Sequence, residues 1–339
     1  MAPTAFILGG TGQIGRALAE RLLRAGWEVG VGGRTDRGVA EGVRFVRVDR
    51  ESDPLPDGVD VFVDVIPYEP AHAEQLLALR GRVGSVIALS SASVYADAQG
   101  RTLDEATGPD DFPELPVPIT ERQRTVEPGE ATYSTKKVAI ERALLRQDAL
   151  PATVIRACAV YGRGSAFPRE WHFVKRILDG RRYVPLAYGG SSRFHTTAAE
   201  NLAELAWLCA ERPRGTRVFN CGDPEPPSVL EISRTISGVL GHSWSEVLLP
   251  GPPTPEKVGA TPWSTPKPFV VDMVAAEIDV GYRAVTRYPK AVEDVCSWLV
   301  DATRDRDWRE LVPEWALGYL EEKFDYATED AYLASLNGS

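Results

Sequence analysis

Tyr133 and Lys137 stand four residues apart in the segment YSTKK, and on a helix that spacing puts both side chains on one face. A free phenol ionises near pH ~10, too high for proton exchange at neutrality. An ammonium group one turn away favours the phenolate and draws that value down. The pair therefore reads as a general acid–base group with its own tuning charge, and Lys137 keeps donors to spare for the hydroxyls of a ribose. A second cluster, ALSSASVY at 88–95, runs off an apolar stretch of strand character. A hydroxyl there, from Ser90, Ser91 or Ser93, can hold a reacting oxygen and stabilise charge developing on it.

The third set is GGTGQIG at 9–15, directly after an apolar run and directly before a helical pattern. In that context a glycine turn is a dinucleotide cradle. Gly9 permits the tight turn, and Gly12 lets backbone approach a pyrophosphate without a Cβ in the way. Gly15 lets the helix pack closely on the sheet. Thr11 sits inside the turn, and the N–H groups of Gln13 and Ile14 lie at the positive end of the helix, where they can hold an anion. The end of the next strand reads VGGRT at 31–35. An acid in that place takes the ribose of NAD, whereas an arginine accommodates the extra phosphate of NADP. Gly33 occupies the acid's place and Arg34 follows it, with Arg37 nearby, so NADP is the expected cofactor. NAD stays as the alternative, because Asp36 lies in the same loop. Asp49 and Arg50, after the third strand, are expected to border the adenine.

These groups need a frame. Short apolar runs at 5–8, 28–31, 43–48, 59–65, 85–89 and 153–156 read as strands. Helical patterns fall between them at 14–25, 71–80 and 134–146. Such βαβ alternation gives an α/β fold, a doubly wound parallel sheet with its ligand at the carboxyl ends of the strands. Residues 1–160 are expected to form the dinucleotide-binding domain, with return segments near 190–222. Residues 161–339 would be mainly a smaller, mixed substrate domain and C-terminal helices. There, helices are expected near 170–178, 200–209 and 229–240, a strand at 217–220, and an irregular Pro-rich stretch at 250–268. The tail from 291 carries amphipathic helices rich in Trp and Tyr.

Composition removes several function classes. A formal net charge of -10 on 339 residues disfavours sequence-blind binding to nucleic acid or to an anionic membrane. No stretch is long and apolar enough for a membrane span. The four cysteines lie far apart without C-x-x-C spacing, so neither a disulfide framework nor a metal site is expected. The first residues lack a signal-peptide pattern, which makes the cytoplasm the expected compartment.

Taken together, the motifs resemble the short-chain dehydrogenase/reductase superfamily, in particular its extended branch, the NAD-dependent epimerase/dehydratase-like proteins. GGTGQIG is similar to that family's glycine turn, SSASVYA to its S-S-x-x-V-Y-G strand end, and YSTKK to its Y-x-x-x-K helix. The segment 155–162, IRACAVYG, resembles the R-P-x-x-V-Y-G piece beside the nicotinamide. VFNCG at 218–222 and GYR at 281–283 resemble later family pieces. Counted back from Val94 and Tyr95, the family's catalytic hydroxyl falls on Ser91. The resemblance implies a Rossmann sheet, with Tyr133 exchanging a proton with the reacting oxygen, Ser91 holding that oxygen, Lys137 assisting, and Arg156 beside the cofactor. A small-molecule substrate and a homodimer are implied as well. Ala159 stands where nucleotide-sugar members carry an asparagine.

Three readings follow: an NAD(P)-dependent oxidoreductase acting on a secondary alcohol or ketone, a redox-neutral sugar or nucleotide-sugar epimerase or dehydratase that retains its cofactor, and a non-catalytic cofactor-sensing or nucleic-acid-binding relative. On the substrate side, Arg169, Trp171, His172, Arg193 and His195 could supply stacking and hydrogen bonds. The Arg181–Arg182 pair could meet a phosphate, and Trp263 could cap a pocket.

Overall fold

The first apolar run becomes strand β1 (Thr4–Leu8), and its residues alternate between two separate cores, Ile7 on one side and Phe6 and Leu8 on the other. That is the pattern of a strand covered on both faces. The computed structural model describes residues 1–106 and 108–336, so the last residues of the expected C-terminal region, 337–339, lie outside the described residues. The chain divides into two units, the first made of Met1–Val160, Thr197–Pro224 and Val271–Thr286.

In the first unit β1 is joined by β2 (Glu28–Gly33), β3 (Val43–Arg47), β4 (Val61–Asp64), β5 (Ser85–Ser91), β6 (Ala152–Ala157) and β7 (Thr216–Cys221). The seven strands form one parallel sheet in the order β7-β6-β5-β4-β1-β2-β3. The expected doubly wound Rossmann sheet is present. Every residue of β4 and of β6 is buried, which is why these runs show no polar alternation in the sequence. One face carries α1 (Gln13–Arg24) through Leu18 and Leu22, together with the helix Ala199–Glu211 through Leu202 and Ala206. The other carries α2 (Ala71–Leu77) through Ala73 and Leu76, and α3 (Tyr133–Leu145) through Ile140 and Leu144. Strand order reverses between β1 and β4, and such a switch opens a crevice at the carboxyl ends of the strands.

Helix α3 begins at Tyr133 for a local reason. Thr132 and Thr135 form a reciprocal capping box, each side chain accepting from the other's backbone N–H, which satisfies two otherwise orphaned donors. Its buried residues include Ser134, Lys137 and Glu141 beside Val138 and Leu144. A polar set on the packed side of a helix costs stability unless every member is paired, so it marks a working face.

The second unit comprises Tyr161–Thr196, Glu225–Val270 and Arg287–Ser339. It holds the helices Trp171–Leu178, Val229–Val239, Tyr288–Thr303, Glu314–Glu321 and Tyr326–Leu336. Strands Tyr183–Leu186 and Ser245–Leu248 pair in parallel. Neither was expected, since four-residue strands give almost no periodic signal. The Pro-rich stretch at 250–268 is tied down through Trp263, which is 1% exposed and stacks on Phe173 with ring centres 6.0 Å apart. Trp263 is thus a core residue here, not a cap. Trp171 and His172 are core too, the latter against Phe173 and Phe324. Arg181 pairs with Glu329 and Asp330 and pins the last helix, so its charge is already matched by the protein.

Among the described residues no helix is long and apolar enough to cross a membrane, and no group of three or more His, Cys, Asp or Glu could hold a metal ion. The four cysteines are unpaired.

Candidate active site

The glycine turn between β1 and α1 is shaped by contacts that leave no room for side chains. Gly9 has φ +82°, a Cβ on Gly10 would lie 2.4 Å from Val31 Cβ, and one on Gly15 would lie 2.4 Å from Gly10 Cα. Gly10 and Gly15 therefore serve the packing of the turn itself, a role the motif pattern assigns to Gly15 against the sheet and does not assign to Gly10. Gly12 differs. The nearest atom to a Cβ built there is Gly9 O at 3.4 Å, so its surroundings are open. As N-cap of α1, Gly12 offers no side-chain oxygen to the first-turn N–H groups, and that turn holds no acidic residue. The side-chain Nε2 of Gln13 is buried without a hydrogen bond. An uncapped helix start with an orphaned donor beside it and open space at Gly12 fits a bound diphosphate. Thr11 Oγ1 would sit 3.3 Å from a Cβ on Gly33, joining the turn to the end of β2. Arg16 donates to Thr11 O at 2.9 Å and to Arg37 O at 2.6 Å, holding turn and loop together.

Beyond β2, Arg34 is exposed and has no ion-pair partner among the described residues. Asp36 instead accepts from Gly38 N at 2.8 Å, an Asx turn inside its own loop. Three of the expected cofactor contacts, Arg50, Asp49 and Arg156, have partners within the protein. Arg50 is 8% exposed, and its guanidinium reaches Asp64 (2.9 Å), Ile66 O (3.0 Å) and Gln75 Oε1 (2.9 Å). It braces the end of β4 because Asp64, wholly buried there, needs a cation. Asp49 accepts from Glu51 N at 3.2 Å within its loop. Arg156 is buried as well. Its Nη2 donates to Glu141 Oε2 at 2.6 Å, and its guanidinium carbon lies 4.9 Å from the centre of the Tyr95 ring. Ser90 donates to the same Glu141. Side chains alternate along a strand, so Ser90 faces that buried pair and Ser91 faces away from it.

Ser91, Tyr133 and Lys137 come together at the carboxyl end of β5. The Ser91 hydroxyl accepts from Ser93 N at 3.1 Å and lies close enough to Tyr133 to favour its ionised form. Lys137 is 3% exposed and donates to Pro67 O at 2.8 Å and Leu89 O at 3.0 Å. Its Nζ is 5.5 Å from the centre of the Tyr133 ring. The electrostatics differ from the simple pairing read off the sequence. Burial pulls the lysine down to about 8, against the opposing pull of Asp64 and Glu141. Desolvation holds the Tyr133 phenol above its ordinary value, the nearby Tyr68 adds to this, and Ser91 only partly offsets it. Without a further positive charge Tyr133 is a proton donor at neutral pH.

Tyr68 is a member of this group that the sequence did not signal. Its ring centre lies 4.9 Å from Lys137 Nζ. Its loop is fixed by His72 Nδ1, which accepts from both Tyr68 N and Glu69 N, and by the Glu69–Lys136 ion pair. Asp104 accepts from Ser134 N at 2.8 Å. Both arrive from loops distant in sequence, and no local pattern reports them.

Residues 73–222 match the model of the NAD dependent epimerase/dehydratase family. The matched segment includes Ser91, Tyr133 and Lys137. The glycine turn lies ahead of the matched segment and rests on its own geometry. Among curated proteins, an uncharacterized protein, y4nG, of Sinorhizobium fredii is 24% identical over 244 residues, which is 69% of this chain. The chain spans 59% of the length of that relative. Among solved structures, UDP-glucuronic acid 4-epimerase from Bacillus cereus, in complex with UDP-glucuronic acid and NAD, is 17% identical, with 88% of this chain and 99% of that chain covered and a TM-score of 0.64. A putative epimerase from Burkholderia cenocepacia is 23% identical, with 89% and 98% covered and a TM-score of 0.63. UDP-N-acetylglucosamine 4-epimerase from Methanobrevibacter ruminantium is 15% identical, with 89% and 100% covered and a TM-score of 0.66. At these identities the likeness is one of fold.

Proposed function

We propose that this protein carries out oxidation and reduction at a secondary alcohol or ketone carbon of a small molecule, using a nicotinamide dinucleotide and the Ser91–Tyr133–Lys137 group. The observation that carries this is the meeting of a phenol, a hydroxyl and a buried ammonium group at the carboxyl end of β5, in the unit that also holds the uncapped glycine turn. Gly9, Thr11, Gly12, Gln13, Ile14 and Gly15 would hold the dinucleotide, which when bound supplies the two-electron acceptor or donor. Tyr133 gives its proton to the reacting oxygen in the reductive direction and takes it back in the oxidative one. Ser91 hydrogen-bonds the same oxygen and fixes its place. Lys137, anchored by two backbone carbonyls, keeps a positive charge behind the phenol below pH about 8. That charge lowers the cost of the phenolate when Tyr133 acts as base.

A redox-neutral course, in which the substrate is oxidised and then reduced again, is favoured by the family match and by the epimerases among the similar structures. A sugar or nucleotide sugar is the substrate class that goes with it. The decisive measurement is cofactor balance: protein purified with its dinucleotide should turn substrate over without net change in nicotinamide absorbance. Stoichiometric consumption of added cofactor supports a simple dehydrogenase or reductase instead. Turnover with neither bound nor added nicotinamide defeats both.

For the cofactor form, the unpaired Arg34 and the self-occupied Asp36 favour NADP, with NAD the form named for several similar structures. Arg34→Ala should weaken NADP binding about 10- to 100-fold, the worth of a charge-assisted hydrogen bond, and leave NAD binding nearly unchanged. Titration of tryptophan fluorescence with each dinucleotide reads this directly. Tighter binding of NAD than NADP by the native protein would overturn the assignment.

A further inference from the structure

A guanidinium that no ion pair holds stands in the second unit, with the Glu170 carboxylate near enough to act on it. Arg169, just ahead of the helix Trp171–Leu178, has no ion pair and no side-chain hydrogen bond among the described residues. Its guanidinium carbon lies 4.8 Å from the centre of the Phe167 ring. Phe167 in turn meets Trp315 at 5.6 Å and Tyr319 at 5.5 Å, both on the helix Glu314–Glu321. Other inward-facing arginines of this unit are matched: Arg176 and Arg181 both pair with Glu329. Burial lowers the pKa of Arg169, while Glu170 and Tyr319 nearby act against that shift. A ring face repays only part of the hydration a guanidinium gives up, so a desolvated one is ordinarily met by an anion. The aromatic wall is equally unusual. Trp315 is 71% exposed and Tyr319 41% exposed, although each touches Phe167. Rings that only filled a core would be covered.

We infer that Arg169, Phe167, Trp315 and Tyr319 form a binding site for a planar organic anion, a ring bearing a carboxylate or a phosphate. The anionic group lies on the guanidinium fork, which suits two parallel hydrogen bonds, and the ring lies against the exposed indole. Acetate or inorganic phosphate would meet the charge but leave the aromatic wall unused. The inference stands apart from the proposed hydride chemistry, because it concerns binding to the second unit and needs no turnover.

Calorimetric titration of the 339-residue protein with 4-hydroxybenzoate, UMP and inorganic phosphate tests it. One of the two ring-bearing anions should bind with Kd about 1 mM or tighter, and which one does so tells carboxylate from phosphate. Arg169→Met should weaken that binding about tenfold or more, and Arg169→Lys less, since the charge stays while the fork is lost. Trp315→Ala should weaken it several-fold. NADP affinity, read on the same samples, should stay as in the native protein. No binding of either ring-bearing anion overturns the inference, as does equal binding of phosphate alone or native affinity in Arg169→Met. If Arg169→Met fails to fold, Trp315→Ala, altered at an exposed ring, decides alone: native affinity there refutes the site.

Discussion

Tyr133→Phe lowers turnover about 10²- to 10⁴-fold, the usual worth of a positioned proton donor, and leaves cofactor affinity within a few-fold of native. The phenyl ring remains to fill the same space, and at 46% exposure it carries little of the packing. Only the proton is missing. Stopped-flow absorbance at saturating substrate separates this from a folding defect, because the loss should lie in kcat with little change in KM. Desolvation and Tyr68 keep Tyr133 protonated in the protein alone. The reductive direction, which needs the acid, should therefore persist at neutral pH in the native enzyme, while the oxidative direction should rise with pH. An unchanged kcat in Tyr133→Phe would show that Tyr133 is not the proton donor.

Lys137→Met should cost turnover on a similar scale, but its more diagnostic effect is on stability against pH. Burial holds the folded-state value at about 8 against 10.5 for the free side chain. Between those limits the unfolded chain binds a proton that the folded one does not. Stability must therefore rise with pH across that window, by about 2–3 kcal/mol between pH 7 and pH 10 from this group alone. Lys137→Met also strips Pro67 O and Leu89 O of their donor, yet that loss is independent of pH. The difference between native and variant unfolding free energies, from urea denaturation at pH 7 and at pH 10, isolates the lysine. A difference that stays constant over that interval would show that Lys137 titrates normally and is not desolvated.

The two predictions together describe a site that trades stability for chemistry. A charged lysine is kept where burial disfavours it, beside a phenol whose ionisation is pushed further up. If the glycine turn holds an oxidised nicotinamide dinucleotide, the positive charge it would supply favours the phenolate, and Tyr133 would then serve as the base. Ser90, Glu141 and Arg156 underlie this arrangement: they close the buried polar side of α3, so Lys137 is not the only ion there lacking water.

What could be read from the chain alone was what local geometry imposes. A glycine turn after an apolar run and before a helical pattern has one architectural meaning, and it stands between β1 and α1. Tyr133 and Lys137 share a helix face because 3.6 residues make a turn, whatever surrounds them. Fully buried runs gave the parallel sheet and its strand ends to within a few residues. Tertiary structure decided what those groups experience. Arg50 was expected at the cofactor because it follows the third strand, and Arg156 because its segment resembles the family's R-P-x-x-V-Y-G piece; the buried carboxylates of Asp64 and Glu141 pair with them instead. Tyr68 joined the site through loop packing, and the ionisation of Tyr133 took its direction from desolvation, a property of everything folded around it. Spacing fixes which side chains can meet; only the folded environment sets their charge.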